Sequence, residues 1–357
     1  MDITLNFIFI LGGEKVLNIA ILGAGVMGRV HSNSYHNIMD SRVVAVCDID
    51  GQKAEEIAKN HNAKVYTDFE MMFEKDNIDI VDICLPTYLH KEYAVRAMKR
   101  KKHVFCEKPI ALSADDAKMM MQEALSMKVK FSVGHVVRYF PAYSNAARLI
   151  ADGKIGEPKL IRTTRTGAYP LWCWQNWYSD DNLSGGIMLD LVIHDFDWIR
   201  HNFGDIERVY AKNIYYSKNK DKSQRADHCL IVLRLKNGAI AHVEGSWAYP
   251  SGSIFGTAFE VVGTKGQIEF DSRESAPVKK HIYDDGTAKI ISFNPLSSSE
   301  EPYTRELENF INCINGDTEP DVSAEDAVKA LNVSLAAIKS SKTGAAITVG
   351  GREHEEN

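Results

Sequence analysis

A lysine early in the chain and an aspartate–histidine pair farther on have the side chains needed to take hydrogen from an alcohol. Lys108 stands in Cys106-Glu107-Lys108-Pro109, directly after an apolar run that reads as a strand. An ammonium at the carboxyl end of such a strand can hydrogen-bond an alcohol oxygen as it becomes a carbonyl and hold the developing negative charge. Taken singly, a Lys-Pro pair also fits a solvated lysine before a turn, and its place in the strand pattern favours the chemical reading. Asp190 and His194 lie four positions apart in the stretch from Ser184 to Asp195. On one continuous helix they would share a face and meet the same small molecule or each other. Imidazole titrates near neutrality and can take the proton, while a carboxylate can orient it and support its cation. A buried histidine satisfied by an aspartate is the competing reading. A metal site would need a third ligand more convincing than Asp197 or His201, and hydride chemistry needs none, so no metal is expected.

A second set of residues is suited to holding a dinucleotide. Gly23-Ala24-Gly25-Val26-Met27-Gly28 is a GxGxxG loop between an apolar run and a helix expected to begin near Val26. The first glycine permits the tight turn, the second lets backbone approach a pyrophosphate, and the third allows close helix packing, with free N–H groups at the helix start. Asp48 follows Gly28 by 20 positions, at the end of the next apolar run. A carboxylate there accepts hydrogen bonds from ribose hydroxyls and repels a 2′-phosphate, which points to NAD in preference to NADP. Asp50 reads as a loop charge, and Lys53 leaves an opening for phosphate. A third group is aromatic: Tyr169, Trp172, Trp174 and Trp177 fall within one short stretch, and such rings suit stacking on a sugar, with local core or an oligomer contact as the alternative.

These residues require particular elements beneath them. Apolar runs at Leu17–Leu22, Val43–Cys47, Ile80–Leu85, Val104–Cys106 and Lys130–Val133 alternate with helix-length stretches such as Ala54–Asn60 and Ala114–Met127. That alternation predicts a doubly wound parallel sheet, an N-terminal Rossmann domain over 16–138. From 139 to 349 strand-like segments come in succession: Lys159–Thr166, Ile206–Tyr216, Cys229–Leu235, Ala239–Trp247, Phe259–Val262 and Gln267–Phe270. They predict an α+β domain on a large, mainly antiparallel open sheet, whose exposed face would need covering and is the expected substrate-binding and oligomer-forming half. Helices over Thr304–Ile314 and Ala324–Ser340, the latter capped by Ser323 with Asp326 in its first turn, close the chain and are expected to pack back on the first domain.

The bulk properties fit two such cores. The chain has 357 residues, 45% apolar and 25% charged, with a formal net charge of -6. Nothing in that balance gives the basic footprint of a nucleic-acid binder. Six cysteines without a CxxC pair read as reduced thiols of a cytoplasmic protein. Residues 1–15 are read as an extension, either preceding a natural start near Val16 or structurally dispensable. Its apolar run Ile3–Leu11 lacks a basic flank and is too short to span a bilayer, so no membrane is expected. Ser297–Ser299 reads as a turn and 350–357 as a tail.

The chain resembles the Gfo/Idh/MocA oxidoreductases, and among them the inositol and sugar dehydrogenases. The likeness runs from about Val16 to Val349 through the GAGVMG loop, Glu107-Lys108-Pro109, the GHVVRYFP segment from Gly134 to Pro141, and the stretch from Gly185 to Asp197. It implies Lys108, Asp190 and His194 as the catalytic set, a cis Lys108–Pro109 bond, and Glu107 beside the cofactor. It also implies that Leu85-Pro86-Thr87-Tyr88-Leu89-His90 lines the nicotinamide side. Pro86 and His90 match the family pattern there, whereas Leu85 and Thr87 replace its Thr and Asn, and His90 is equally a helix-start residue. Arg138 is either a cofactor or substrate contact or an ion pair. The implied function is oxidation of a secondary alcohol on a cyclic polyol, sugar or glycoside by an NAD-dependent homodimer or homotetramer. The alternatives are an NAD-recycling glycosidase, a keto-sugar reductase and a non-catalytic NAD-binding regulator.

Overall fold

Short apolar runs buried on both sides build the first sheet, as parallel strands under helices must be. The computed structural model describes residues 15–215, 227–274, 278–284, 287–293 and 301–350. Residues 1–14, the Ser297–Ser299 turn and the tail beyond 350 lie outside them. Strands β1 (Leu17–Leu22), β2 (Ser41–Cys47), β3 (Lys64–Tyr66), β4 (Ile80–Ile83), β5 (His103–Glu107) and β6 (Phe131–Gly134) form one parallel sheet in the order β3-β2-β1-β4-β5-β6. Helices α1 (Val26–Tyr35), α2 (Gly51–Ala58), α3 (Phe69–Lys75), α4 (His90–Lys99) and α5 (Ala114–Met127) alternate with them. Local chemistry sets their ends. Ser113 accepts the Asp116 N–H at the start of α5, and two aspartates in its first turn complement the helix dipole. The carboxyl ends of β1, β2, β4 and β5 deliver the glycine loop, Asp48, Pro86–Thr87 and Lys108 to one edge of the sheet.

After α6 (Pro141–Ala151) the burial pattern changes. Along β9 (His228–Leu235), Cys229, Ile231, Leu233 and Leu235 are buried while Leu230, Val232 and Arg234 are exposed. That period of two marks a sheet covered on one face. The sheet adds β7 (Pro158–Ala168), β8 (Ile206–Ile214), β10 (Ile240–Tyr249), β11 (Gly256–Gly263), β12 (Gly266–Asp271), β13 (Val278–Asp284), β14 (Thr287–Phe293) and β15 (Ile347–Thr348), ordered β14-β13-β12-β11-β7-β10-β9-β8-β15. All its pairs are antiparallel except β7 with β10. Short α7 (Asp181–Ser184) and α8 (Ile187–Asp190), then α9 (Ile193–Phe203), cross between β7 and β8 on the covered face. The short strand β3 and the last strands β13 to β15 were not among the expected segments.

Two C-terminal helices close the fold, and the second of them joins both cores. In α10 (Pro302–Gly316), Leu307, Phe310 and Ile311 complete a core with Leu17, Ile19, Ile80 and Phe105. In α11 (Ala324–Thr343), Ala327, Ala330 and Leu331 join the parallel-sheet core, while Val333, Ala336 and Ala337 join the core of the second sheet. Ser323 caps α11 by accepting the Asp326 N–H, as its sequence predicts. The six cysteines are unpaired. Among the described residues no helix is long and apolar enough to cross a membrane.

Candidate active site

The glycine loop has the shape a pyrophosphate needs. Gly23 adopts φ +103°, and a Cβ there would stand 2.5 Å from the Cys84 carbonyl oxygen, so only glycine fits. A Cβ on Gly28 would overlap the Gly23 carbonyl. Gly25 differs: among the described residues nothing lies within 4 Å of its Cβ position. It is the N-cap of α1 and supplies no side-chain cap, leaving Val26 and Met27 at an open helix start suited to an anion. Asp48 reaches back to this loop, accepting the Ala24 N–H at 2.6 Å and the Asp50 N–H at 2.8 Å. Asp50 caps α2. Thr87 is buried and Pro86 half-buried at the next strand end. The loop, the open helix start and the carboxylate together fit a dinucleotide.

Lys108 and Asp190, 82 residues apart, meet across the two domains. The lysine Nζ donates to the Asp190 carbonyl oxygen at 2.8 Å and to its Oδ1 at 3.1 Å. The Lys108–Pro109 bond is cis. His194 lies within reach of the Lys108 charge and edge-on to His135, ring centroids 6.3 Å apart at 87°. Burial, then the charges of Lys108 and Arg165, hold its pKa well below the ordinary histidine value. The expected pairing of Asp190 with His194 is corrected here. The helix breaks at Leu191–Val192, so Asp190 ends α8 while His194 stands in the first turn of α9. Among the described residues Asp190 makes no hydrogen bond to His194; its carboxylate holds Lys108 instead.

Two other expected ligand contacts are engaged elsewhere. Arg138 donates from Nε and Nη2 to Asp197 at 2.7 and 2.5 Å, and from Nη1 to the Asp321 carbonyl and Asp326. All three nitrogens are therefore taken within the protein. His90 is buried with Nδ1 2.8 Å from the Pro109 carbonyl and Nε2 2.8 Å from that of Leu85. It ties the Leu85–Thr87 loop to the Lys108 turn. In the aromatic stretch, Gln175 and Asn176 take left-handed backbone, φ 49° and 52°. Trp172 is 65% and Trp174 39% exposed, whereas Trp177 stacks on Tyr178 at 4.1 Å. Tyr169 donates to Asn176 Oδ1 and packs on Trp247.

Sequence reasoning missed residues that stand beside this cluster. Tyr178 faces Trp172 and Trp247, and burial with the nearby Asp190 and Glu107 charges pushes its hydroxyl pKa up. Its place in the aromatic stretch was a usable signal. His135, wholly buried and with neither ring nitrogen bonded to protein among the described residues, immediately follows β6. A histidine at a strand's carboxyl end was the available clue. His31 and Asp82 carried none, because α1 and β4 are ordinary in pattern.

Comparison with known proteins bears on the whole chain. The profile of an oxidoreductase family's NAD-binding Rossmann fold matches residues 17–135, and that of its C-terminal alpha/beta domain matches 147–349. The chain is 31% identical over 329 residues to a myo-inositol 2-dehydrogenase of Thermotoga maritima, covering 91% of this chain and 96% of that protein. It is 30% identical over 273 residues to a 2,7-anhydro-N-acetylneuraminate hydratase of Escherichia coli, covering 73% and 69%. A levoglucosan dehydrogenase solved with NADH and L-sorbose superposes with a TM-score of 0.85 at 21% identity, covering 95% of this chain and all of that one (100%).

Proposed function

The chain belongs to the Gfo/Idh/MocA family of NAD(P)-dependent oxidoreductases, and from that premise we propose that it oxidises a secondary alcohol of a cyclic polyol or sugar, with NAD preferred over NADP. The observation that carries this reading is the setting of Lys108. An ammonium has three donors, and two are held by Asp190. Among the described residues the third has no protein partner, and it is free to take a substrate oxygen.

Bound NAD would supply the hydride acceptor. The chain's own residues then divide the remaining work. His194, kept neutral by burial and by cationic neighbours, takes the hydroxyl proton. Lys108 holds the oxygen as its charge develops, and Asp190 aims Lys108 rather than His194. The carbinol carbon loses hydride and becomes a carbonyl. The same groups serve ketone reduction in reverse, so direction follows supply. Asp48 beside the glycine loop supports NAD, since a second negative charge at the ribose would meet it. Trp172, edge-packed with Tyr178, and Trp174 are exposed and offer faces for stacking on a sugar ring.

The exposed side chains of Tyr210, Leu230, Val232 and Ile240 on β8, β9 and β10 leave an apolar sheet face that self-association would cover. A monomer in light scattering would reject this. Because hydration changes no net oxidation state, a relative named as a hydratase favours, as a second reading, a reaction in which the cofactor is recycled. The deciding experiment follows NADH absorbance with NAD and a panel of inositols, aldoses and glycosides, beside Lys108→Ala. Steady NADH formation that falls roughly 10²–10³-fold in the variant is expected. Release of sugar from glycosides without NADH would favour recycling, and no turnover of any compound would favour a regulator.

A further inference from the structure

Behind Lys108 lies a buried chain of polar groups that the proposed reaction does not use. His31, on α1 and fully buried, places Nδ1 2.9 Å from Asp82 Oδ2 and Nε2 3.1 Å from Glu107 Oε1. Tyr35, one helical turn on, donates to Asp82 Oδ2 at 3.0 Å. The other oxygen of Glu107, Oε2, accepts the backbone N–H of Lys108 at 3.0 Å. An ionised carboxylate can only accept. A histidine between two of them makes both bonds only when both ring nitrogens carry hydrogen.

We propose that His31 is a positioning residue: donating from both nitrogens, it ties the dinucleotide-binding helix α1 to Glu107 and so fixes the turn that presents Lys108. One helix thereby carries both the open N-terminus suited to pyrophosphate and the group that anchors the lysine. Cofactor seating and lysine placement become properties of one rigid body. The surroundings agree. Burial alone would lower the His31 pKa, yet Asp82 and Cys84 leave it well above the ordinary value. Burial would raise that of Glu107, yet His31 and Lys108 hold it below the ordinary carboxylate. The titratable groups facing His31 are Asp82 on β4, Cys84 just beyond it, Tyr35 on α1, Glu107 on β5, and Tyr303 and Glu306 on α10. Glu306 is buried without a hydrogen-bond partner among the described residues, and burial followed by the Glu107 charge raises its pKa well above the ordinary value. The carboxylates within hydrogen-bond distance of the His31 ring are Asp82 and Glu107.

This inference rests on the proposed role of Lys108, which Lys108→Ala kinetics test separately. The test of His31 begins with the wild-type protein, 15N-labelled at histidine. At about pH 8, well above the ordinary histidine pKa, one ring should still carry hydrogen on both nitrogens. That signal should disappear in His31→Gln. Misplacing a catalytic group from a distance can cost about 10²-fold, so His31→Gln should lower kcat by about 10- to 100-fold. The Kd for NAD and the substrate KM should move less than about threefold, a split that general unfolding would not produce. Glu107→Gln should lower kcat comparably, and the double variant should be no worse than the poorer single one. A neutral His31 ring, unchanged kcat in His31→Gln, or additive losses would overturn the proposal. So would stoichiometric zinc binding, because His31 Nδ1, Asp82 and Cys84 lie close enough to share a cation and a bound metal would displace the Nδ1 hydrogen.

Discussion

Lys108 and Arg138 each lie beyond a strand of the parallel sheet, and each reaches across to an aspartate of the α8–α9 region. Arg138 engages all its nitrogens with Asp197, Asp326 and a backbone carbonyl, and Arg200 closes the knot by pairing with Asp326. Among the described residues Lys108 engages two donors of three, and beside it His194 and His135 keep ring nitrogens unbonded to protein. The Arg138 guanidinium is fully engaged and joins the domains; the Lys108 cluster is left short of partners on the side where a substrate would lie. In sequence the two cations look alike. Their difference is how many bonds the folded protein completes for them.

That contrast predicts opposite outcomes for removing each cluster's side chains. The largest kinetic loss is expected at His194, because general-base help is worth roughly 10²–10⁴ in rate. His194→Ala should lower kcat by that factor, with the Kd for NAD and the melting temperature nearly unchanged. An equal loss of cofactor affinity would contradict the division between the glycine loop and the α8–α9 site. Arg138→Met should do the reverse. It strips a buried aspartate of its partner, which costs about 3–5 kcal/mol. Thermal unfolding should show that loss while the folded fraction keeps near-normal kcat; a variant of full stability and low kcat would move Arg138 into the active site.

The pH profile sharpens the same comparison with a smaller effect. In the proposed reaction His194 acts unprotonated, and its pKa lies well below the ordinary 6.5. It therefore stays neutral as pH falls through that value, and protonation disables it only in more acidic solution. The acid limb of kcat/KM, which reports the free enzyme, should bend below pH 6.5 and vanish in His194→Ala. A bend at or above the ordinary value would assign the limb to another group.

Much of this was legible from residue patterns, and what was not has physical causes. Parallel strands announced themselves as unbroken apolar runs, and the glycine loop by its spacing between strand and helix. β3 escaped because three residues carry no periodicity. The Asp190–His194 relation was misread because spacing of four implies a shared face only on an unbroken helix, and no proline or glycine marks the break at Leu191–Val192. His31 escaped for a different reason. Its function depends on Asp82 and Glu107, 51 and 76 residues away, and no local pattern encodes which side chains a sheet will bring together.

The smallest expected effect separates the two surfaces of the aromatic stretch. Trp177 is half-buried against Tyr178, whereas Trp172 is largely exposed with its edge toward the same ring. A stacking contact to substrate is worth about 1 kcal/mol, so Trp172→Ala should raise the sugar KM by about fivefold and leave kcat and melting temperature close to wild type. Trp177→Ala should instead lower the melting temperature, because it leaves Tyr178 without its stacked partner. If both variants shift stability alone, the stretch is core. If Trp172→Ala leaves KM untouched while changing the mass in light scattering, its exposed ring belongs to a contact between copies of the chain.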